Sequence, residues 1–154
     1  MSDRKTAHTT FTIERVYPAT PARVFRAWSD PAAKAQWFGG PKSWTQGRRE
    51  MDFRVGGREH LSGGPPGAAP HIFDAIYNDI VPNERIIYGY DMHIGETRIS
   101  VSLATVELQP EGKNTRLRFT EQAVFLDDFD DNGGRERGSL GLLDQLGEAL
   151  EREG

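Results

Sequence analysis

Between residues 44 and 125 the chain reads as six strand-forming segments, 44–53, 57–62, 71–81, 85–93, 98–108 and 115–125, rich in β-branched and aromatic residues. Gly56-Gly57, Pro82-Asn83 and Glu111-Gly112-Lys113-Asn114 break them as turns, and Ser62-Gly-Gly-Pro-Pro-Gly-Ala-Ala-Pro70 reads as a flexible loop. A parallel crossover needs about a dozen residues or more, so connections this short make neighbouring strands antiparallel. A meander is expected.

The flanks complete the pattern. Phe11, Ile13, Arg15 and Tyr17 alternate with Thr12, Glu14 and Val16, a first strand. Thr20-Pro21 supplies a cap and a proline at the first helical position, and Val24, Phe25 and Trp28 then share one face of a short helix. Asp30-Pro31 repeats the signal for a second brief helix that carries Trp37-Phe38 at its end and stops at Gly39-Gly40-Pro41. Residues 135–151 set Leu140, Leu142, Leu143, Leu146 and Leu150 on one arc of a final amphipathic helix. Ser139 and Gly147 interrupt that arc. A mid-helix glycine costs roughly 1 kcal/mol against alanine, so Gly147 on the apolar side is expected to leave room beneath the helix.

With 154 residues, 36% hydrophobic and 27% charged, the chain has the make-up of a single domain spanning 1–154, with residues 1–8 a polar N-terminal extension. No apolar leader and no membrane-length apolar run occurs, so a cytoplasmic location is expected. The absence of cysteine closes disulfide, thiolate-nucleophile and thiolate-metal chemistry. A net charge of −4 without a basic run argues against nucleic-acid or anionic-membrane partners.

The stretch DDFDDNGGRERGS places Asp128, Asp130, Asn132 and Gly133 at positions one, three, five and six of a calcium-loop pattern. Position twelve is Ser139, where a bidentate glutamate is required, so these carboxylates are read as preceding a helix whose positive N-terminal end tolerates them. His8, His60, His71 and His93 show no zinc spacing, and no Gly-x-Ser-x-Gly elbow, phosphate loop or dinucleotide fingerprint occurs. No metal, no cofactor and no catalytic signature are therefore expected.

On these residues the chain resembles the START-like, Bet v 1-like (SRPBCC) superfamily, in its bacterial branch related to the activator of Hsp90 ATPase. The resemblance spans residues 11–150 and rests on Tyr17-Pro18-Ala19, Val24-Phe25-Arg26-Ala27-Trp28, Trp37-Phe38-Gly39-Gly40-Pro41, Met51-Asp52-Phe53-Arg54-Val55-Gly56-Gly57, the run from Tyr77 to Tyr88, and the closing Gly138-Ser-Leu-Gly-Leu-Leu-Asp-Gln-Leu146. It implies an α+β helix-grip fold, a curved antiparallel sheet wrapped around a long C-terminal helix, with a hollow between them. Where many relatives carry a tryptophan after the double glycine this chain has Glu59, and where many carry Gly-Trp it has Gly138-Ser139. Both departures remove aromatic bulk.

A small hydrophobic ligand is the partner the resemblance implies first. Strand alternation puts Phe73 with Tyr77, Tyr88 with Tyr90 and Met92, and Phe119 with Glu121 on shared faces, and Trp37, Phe38, Ser139, Leu143 and Gly147 complete the expected site. Tryptophans serve first as core and can double as pocket wall. Glu121 either points inward among aromatics or, if a bulge reverses its parity, meets solvent, Arg116 or Arg118. In a cyclase- or dehydratase-like enzyme Glu121 would be the acid or base, with Tyr77, Tyr88 or Tyr90 as donors. The resemblance also implies a chaperone partner, although the eukaryotic activator acts with an additional N-terminal domain for which 154 residues leave no room. A homodimer through an exposed strand edge is a further expectation.

Overall fold

The computed structural model describes residues 3–129 and 132–153. Strand β1 (Thr6–Tyr17) leads into helices α1 (Pro21–Ser29) and α2 (Pro31–Ala35), then β2 (Thr45–Met51), β3 (Arg58–Gly64), β4 (His71–Val81), β5 (Arg85–Ile94), β6 (Thr97–Glu111) and β7 (Asn114–Leu126), and finally α3 (Gly134–Glu153). All seven strands form one antiparallel sheet in the order β1-β7-β6-β5-β4-β3-β2. The short turns thus give the expected meander, and β1 closes it by pairing with the last strand. Register shifts after Gln46, Tyr77 and Met92 introduce irregularities into the curved sheet that grips α3, the helix-grip arrangement.

Local chemistry sets the helices. Thr20 Oγ1 accepts from the Arg23 N–H at 3.3 Å and Pro21 occupies the first position of α1, which buries Val24, Ala27 and Trp28. Asp30 makes no side-chain cap, and α2 ends after five residues. The C-terminal half of α3 buries Leu143, Leu146, Ala149 and Leu150, whereas Leu140 and Leu142 of the expected arc are only half-buried. No helix among the described residues is long and apolar enough to cross a membrane.

Two strand ends differ from the sequence reading for physical reasons. Residues 6–8, expected within a polar extension, belong to β1: Thr6 pairs with Leu126 and His8 with Val124. An edge strand needs backbone partners on one side only, so its Thr-rich start does not have to alternate with apolar residues. Strand β6 runs past Pro110 to Glu111 because β5 begins only at Arg85, opposite Glu107, leaving Pro110 a single neighbouring strand and no ladder bond to donate on its free side.

Gly147 also has a role other than the expected one. A Cβ at this position would lie 3.2 Å from Tyr17 Cε1, and the Tyr17 hydroxyl donates to the Leu143 carbonyl at 2.7 Å. The glycine permits a close approach of α3 to β1 rather than opening a hollow. Gly147→Leu should therefore overpack this seam and lower unfolding stability by about 1–3 kcal/mol. Denaturant unfolding measures it, and a variant as stable as the parent would show that Tyr17 can swing aside.

Candidate functional site

Strand parity directs Phe73, Tyr88, Tyr90, Phe119 and Glu121 to the concave face of the sheet, where all are buried. The turn after α2 adds Trp37 and Phe38, and α1 adds Trp28. These rings interlock edge to face: Trp28 with Trp37 at 4.7 Å between centroids and Phe38 with Phe73 at 5.2 Å. Between this wall and the N-terminal half of α3 lies a cavity of about 820 Å³ that opens to solvent.

Ten of the twelve residues expected at the site line this cavity: Trp37, Phe38, Phe73, Tyr88, Tyr90, Met92, Phe119, Glu121, Ser139 and Leu143. Tyr77 and Gly147 do not. Tyr77 turns its hydroxyl to Glu59, and Gly147 packs on Tyr17. Sequence reasoning missed the glycines that shape the helix side. Gly138 and Gly141 line the cavity, and a Cβ at either would meet no atom within 4 Å.

Glu121 points inward and is only 1% exposed. Neither Arg116 nor Arg118 reaches it; those two pair with Glu111 and Glu14 on the outer face. Its partner is Arg135, in the first turn of α3, whose Nη1 lies 3.3 Å from Oε2, while the Tyr90 hydroxyl donates to the same oxygen at 2.6 Å. Arg135 Nη1 also donates to the Tyr90 oxygen at 3.1 Å and to Ser102 Oγ at 3.3 Å, and Nη2 donates to Ser100 Oγ at 2.8 Å. One guanidinium thereby spans β5, β6 and β7. The tyrosyl and carboxylate oxygens beside Arg135 hold its pKa above the usual value despite burial.

A second charged cluster sits behind the wall. Lys34 and Glu59, 1% and 3% exposed, pair at 2.7 Å, and the Tyr77 hydroxyl donates to the same Glu59 Oε1 at 2.5 Å. The Lys34 ammonium faces the Phe38 ring at 4.4 Å and the Trp28 ring at 5.5 Å. Burial pushes the Lys34 pKa down, opposed by Glu59. Glu59 is thus more than a loss of aromatic bulk; it is a buried counter-charge, and its inward parity with Leu61 after Gly56-Gly57 was the available signal.

No group of three or more His, Asp or Glu side chains able to hold a metal gathers among the described residues. Asp130 of the aspartate stretch lies outside the described residues, and Asp127 is held by Arg4 at 2.7 Å and by the Lys5 N–H at 3.0 Å.

All four tyrosines of the chain are buried, and burial raises the pKa of each. Glu59 adds to the effect at Tyr77 and Glu121 at Tyr90. A phenol whose folded pKa exceeds its unfolded value of about 10 keeps its full contribution to stability below pH 10 and loses it as pH rises further. Ultraviolet titration of tyrosinate should stay flat to about pH 10 and then rise together with loss of circular dichroism. Phenolate forming near pH 10 in a protein that is still folded would contradict the burial described above.

The family described as "Activator of Hsp90 ATPase homolog 1-like protein" matches residues 18–151. Among solved structures, an uncharacterised protein from Rhizobium leguminosarum is 50% identical with a TM-score of 0.92, over 97% of this chain and 98% of that one. The Mll3558 protein from Rhizobium loti is 43% identical with a TM-score of 0.88, over 94% of this chain and 99% of that one. An AHSA1-like protein from Aeromonas hydrophila, 21% identical with a TM-score of 0.73 over 94% of each chain, shares the fold. No functionally curated protein matches the chain. Matched over nearly its whole length, the chain belongs to the activator of Hsp90 ATPase homolog 1-like family, on the helix-grip fold of the START-like superfamily.

Proposed function

We propose that this START-like domain binds a small, mostly apolar molecule in the cavity between the sheet and the N-terminal half of α3. Its volume of about 820 Å³ falls in the range of small-molecule sites, about 300–1,000 Å³. An aromatic wall with one convergent polar group, Glu121 with Arg135 and Tyr90, has the make-up of such sites, in which apolar surface supplies affinity and a few polar atoms fix orientation.

The observation that carries this reading is the unfilled cavity itself, which Phe73, Tyr88, Tyr90 and Phe119 face from the sheet and Gly138, Ser139 and Gly141 face from α3 without a bulky side chain. Gly138 and Gly141 are exposed at its open side, and each costs α3 roughly 1 kcal/mol of helix propensity against alanine. A space between buried rings and a helix is ordinarily filled by side chains, because interiors are close-packed. Proton transfer finds less support. Glu121 Oε2 is already engaged by Tyr90 and Arg135, and the other titratable side chains among the described cavity-lining residues are Tyr88, whose pKa burial raises, and His71, which packs on Trp44 at 4.7 Å. Activation of a chaperone ATPase is named in the family's description and belongs to the protein that description refers to.

A Cβ at Gly138 meets no atom within 4 Å, so Gly138→Leu should extend over the mouth and strengthen the helix, and binding and stability should move in opposite directions. With the neutral fluorophore N-phenylnaphthylamine, the parent protein should show strong enhancement and the variant little, at an equal or higher melting temperature. A parent protein that fails to take up the dye would refute the reading, as would a folded variant that binds it unchanged.

A further inference from the structure

The geometry points to a guest whose polar end is a neutral hydroxyl on an apolar, largely aromatic body, in preference to a carboxylate, a phosphate or an amine. This rests on the ligand-binding reading above and specifies the chemistry of its buried end.

Charge at the polar end of the cavity is paired. Among the described cavity-lining residues Glu121 is the one carboxylate and Arg135 the one permanent cation, and they lie 3.3 Å apart. An anion brought to Arg135 meets the field of Glu121 as well, and an ammonium brought to Glu121 meets that of Arg135. Either would surrender its hydration for an attraction largely cancelled at the source. Of the described cations beside this wall, Lys34 is committed to Glu59 behind the rings of Trp28 and Phe38, and Arg49 donates to the Phe38 carbonyl at 2.6 Å.

The same pair keeps hydrogen-bonding atoms unused. Glu121 Oε2 receives both Tyr90 and Arg135, whereas Oε1 accepts from no described residue. The Arg135 Nη atoms serve Ser100, Ser102, Tyr90 and Glu121, whereas its Nε–H donates to none of the described residues. The Trp28 indole Nε1 also lacks an acceptor, but that atom is enclosed in the wall and is not offered to a guest. The unused set on the cavity-lining pair is one acceptor and one donor. A hydroxyl both gives and takes, so it matches Glu121 and the donor together. A carboxylate has no hydrogen for Oε1, and an ammonium has no lone pair for the donor. Burial and Glu121 keep the Tyr90 hydroxyl protonated, so it remains a donor to Oε2 and leaves Oε1 to the guest.

The full-length protein titrated at pH 7 with pyrene, hydroxypyrene and pyrene carboxylate, followed by fluorescence anisotropy, separates the cases on one frame. Hydroxypyrene should bind about ten-fold more tightly than either of the others, the worth of one hydrogen bond to a charged group. Carboxylate binding that matches or exceeds that of hydroxypyrene overturns the inference, and so does parent pyrene binding equally well, while the cavity reading survives. If none of the three binds, the cavity reading itself falls. Glu121→Gln, checked for fold by circular dichroism, leaves Arg135 uncompensated and should move the preference about ten-fold toward the carboxylate. A folded variant with the parent ranking overturns the role given to Glu121; should the variant not fold, the parent ranking decides alone.

Discussion

Helix α3 is held down at one end. The Tyr17 hydroxyl donates to the Leu143 carbonyl at 2.7 Å, the Tyr17 ring lies against Gly147, and Arg23 donates to the Leu150 carbonyl at 2.9 Å. Leu143, Leu146, Ala149 and Leu150 fill the seam below that half. From Gly134 to Gly141 there is no comparable apolar seam. What ties that half to the sheet is Arg135, reaching Ser100, Ser102, Tyr90 and Glu121. Packed interiors close over voids unless something props them open, and here a polar strut stands where leucines would otherwise pull the helix onto the sheet. The cavity is the space that this strut spans.

The meander, the order of helices and the inward parity of the aromatic strands were legible because each rests on local spacing. His71–Val81 follows from period-two alternation between turn residues. The partners of buried charges were not legible, because they are set by the fold. Arg116 and Arg118 are Glu121's neighbours in sequence, yet they stand on one face of the sheet and Glu121 on the other. Arg135 lies fourteen positions further on, across a turn and at the start of a helix. Gly147 shows the same limit from another side. A glycine on the buried arc of a helix can mark open space or close approach with equal sequence signature. Tyr17 decides between them, and it lies at the other end of the chain.

The two buried ion pairs are chemically alike and structurally unlike. Lys34 and Glu59 are enclosed by Phe38, Trp28 and Tyr77. A pair of this kind gives little net stability, since desolvation offsets most of its attraction. Its effect is to fix position, pinning α2 and the turn that carries Trp37 and Phe38 against β3. Glu121 and Arg135 pair at 3.3 Å, longer than the 2.7 Å of Lys34 and Glu59, and face the cavity with acceptor and donor capacity unspent. A closed pair can only hold its neighbours in place; an open one can also meet a guest.

This distinction explains why the two departures from the expected aromatic pattern have opposite consequences. Ser139 replaces bulk at the cavity surface, and space is what results. Glu59 replaces bulk inside the wall, where no space results, because the carboxylate draws in Lys34 and the Tyr77 hydroxyl. An inward glutamate without Lys34 would be an unpaired buried charge and an inward Lys34 without Glu59 another, so neither residue is tolerable alone. Their pairing fixes α2, and with it the turn carrying Trp37 and Phe38, against β3, which sets where the aromatic wall stands opposite α3.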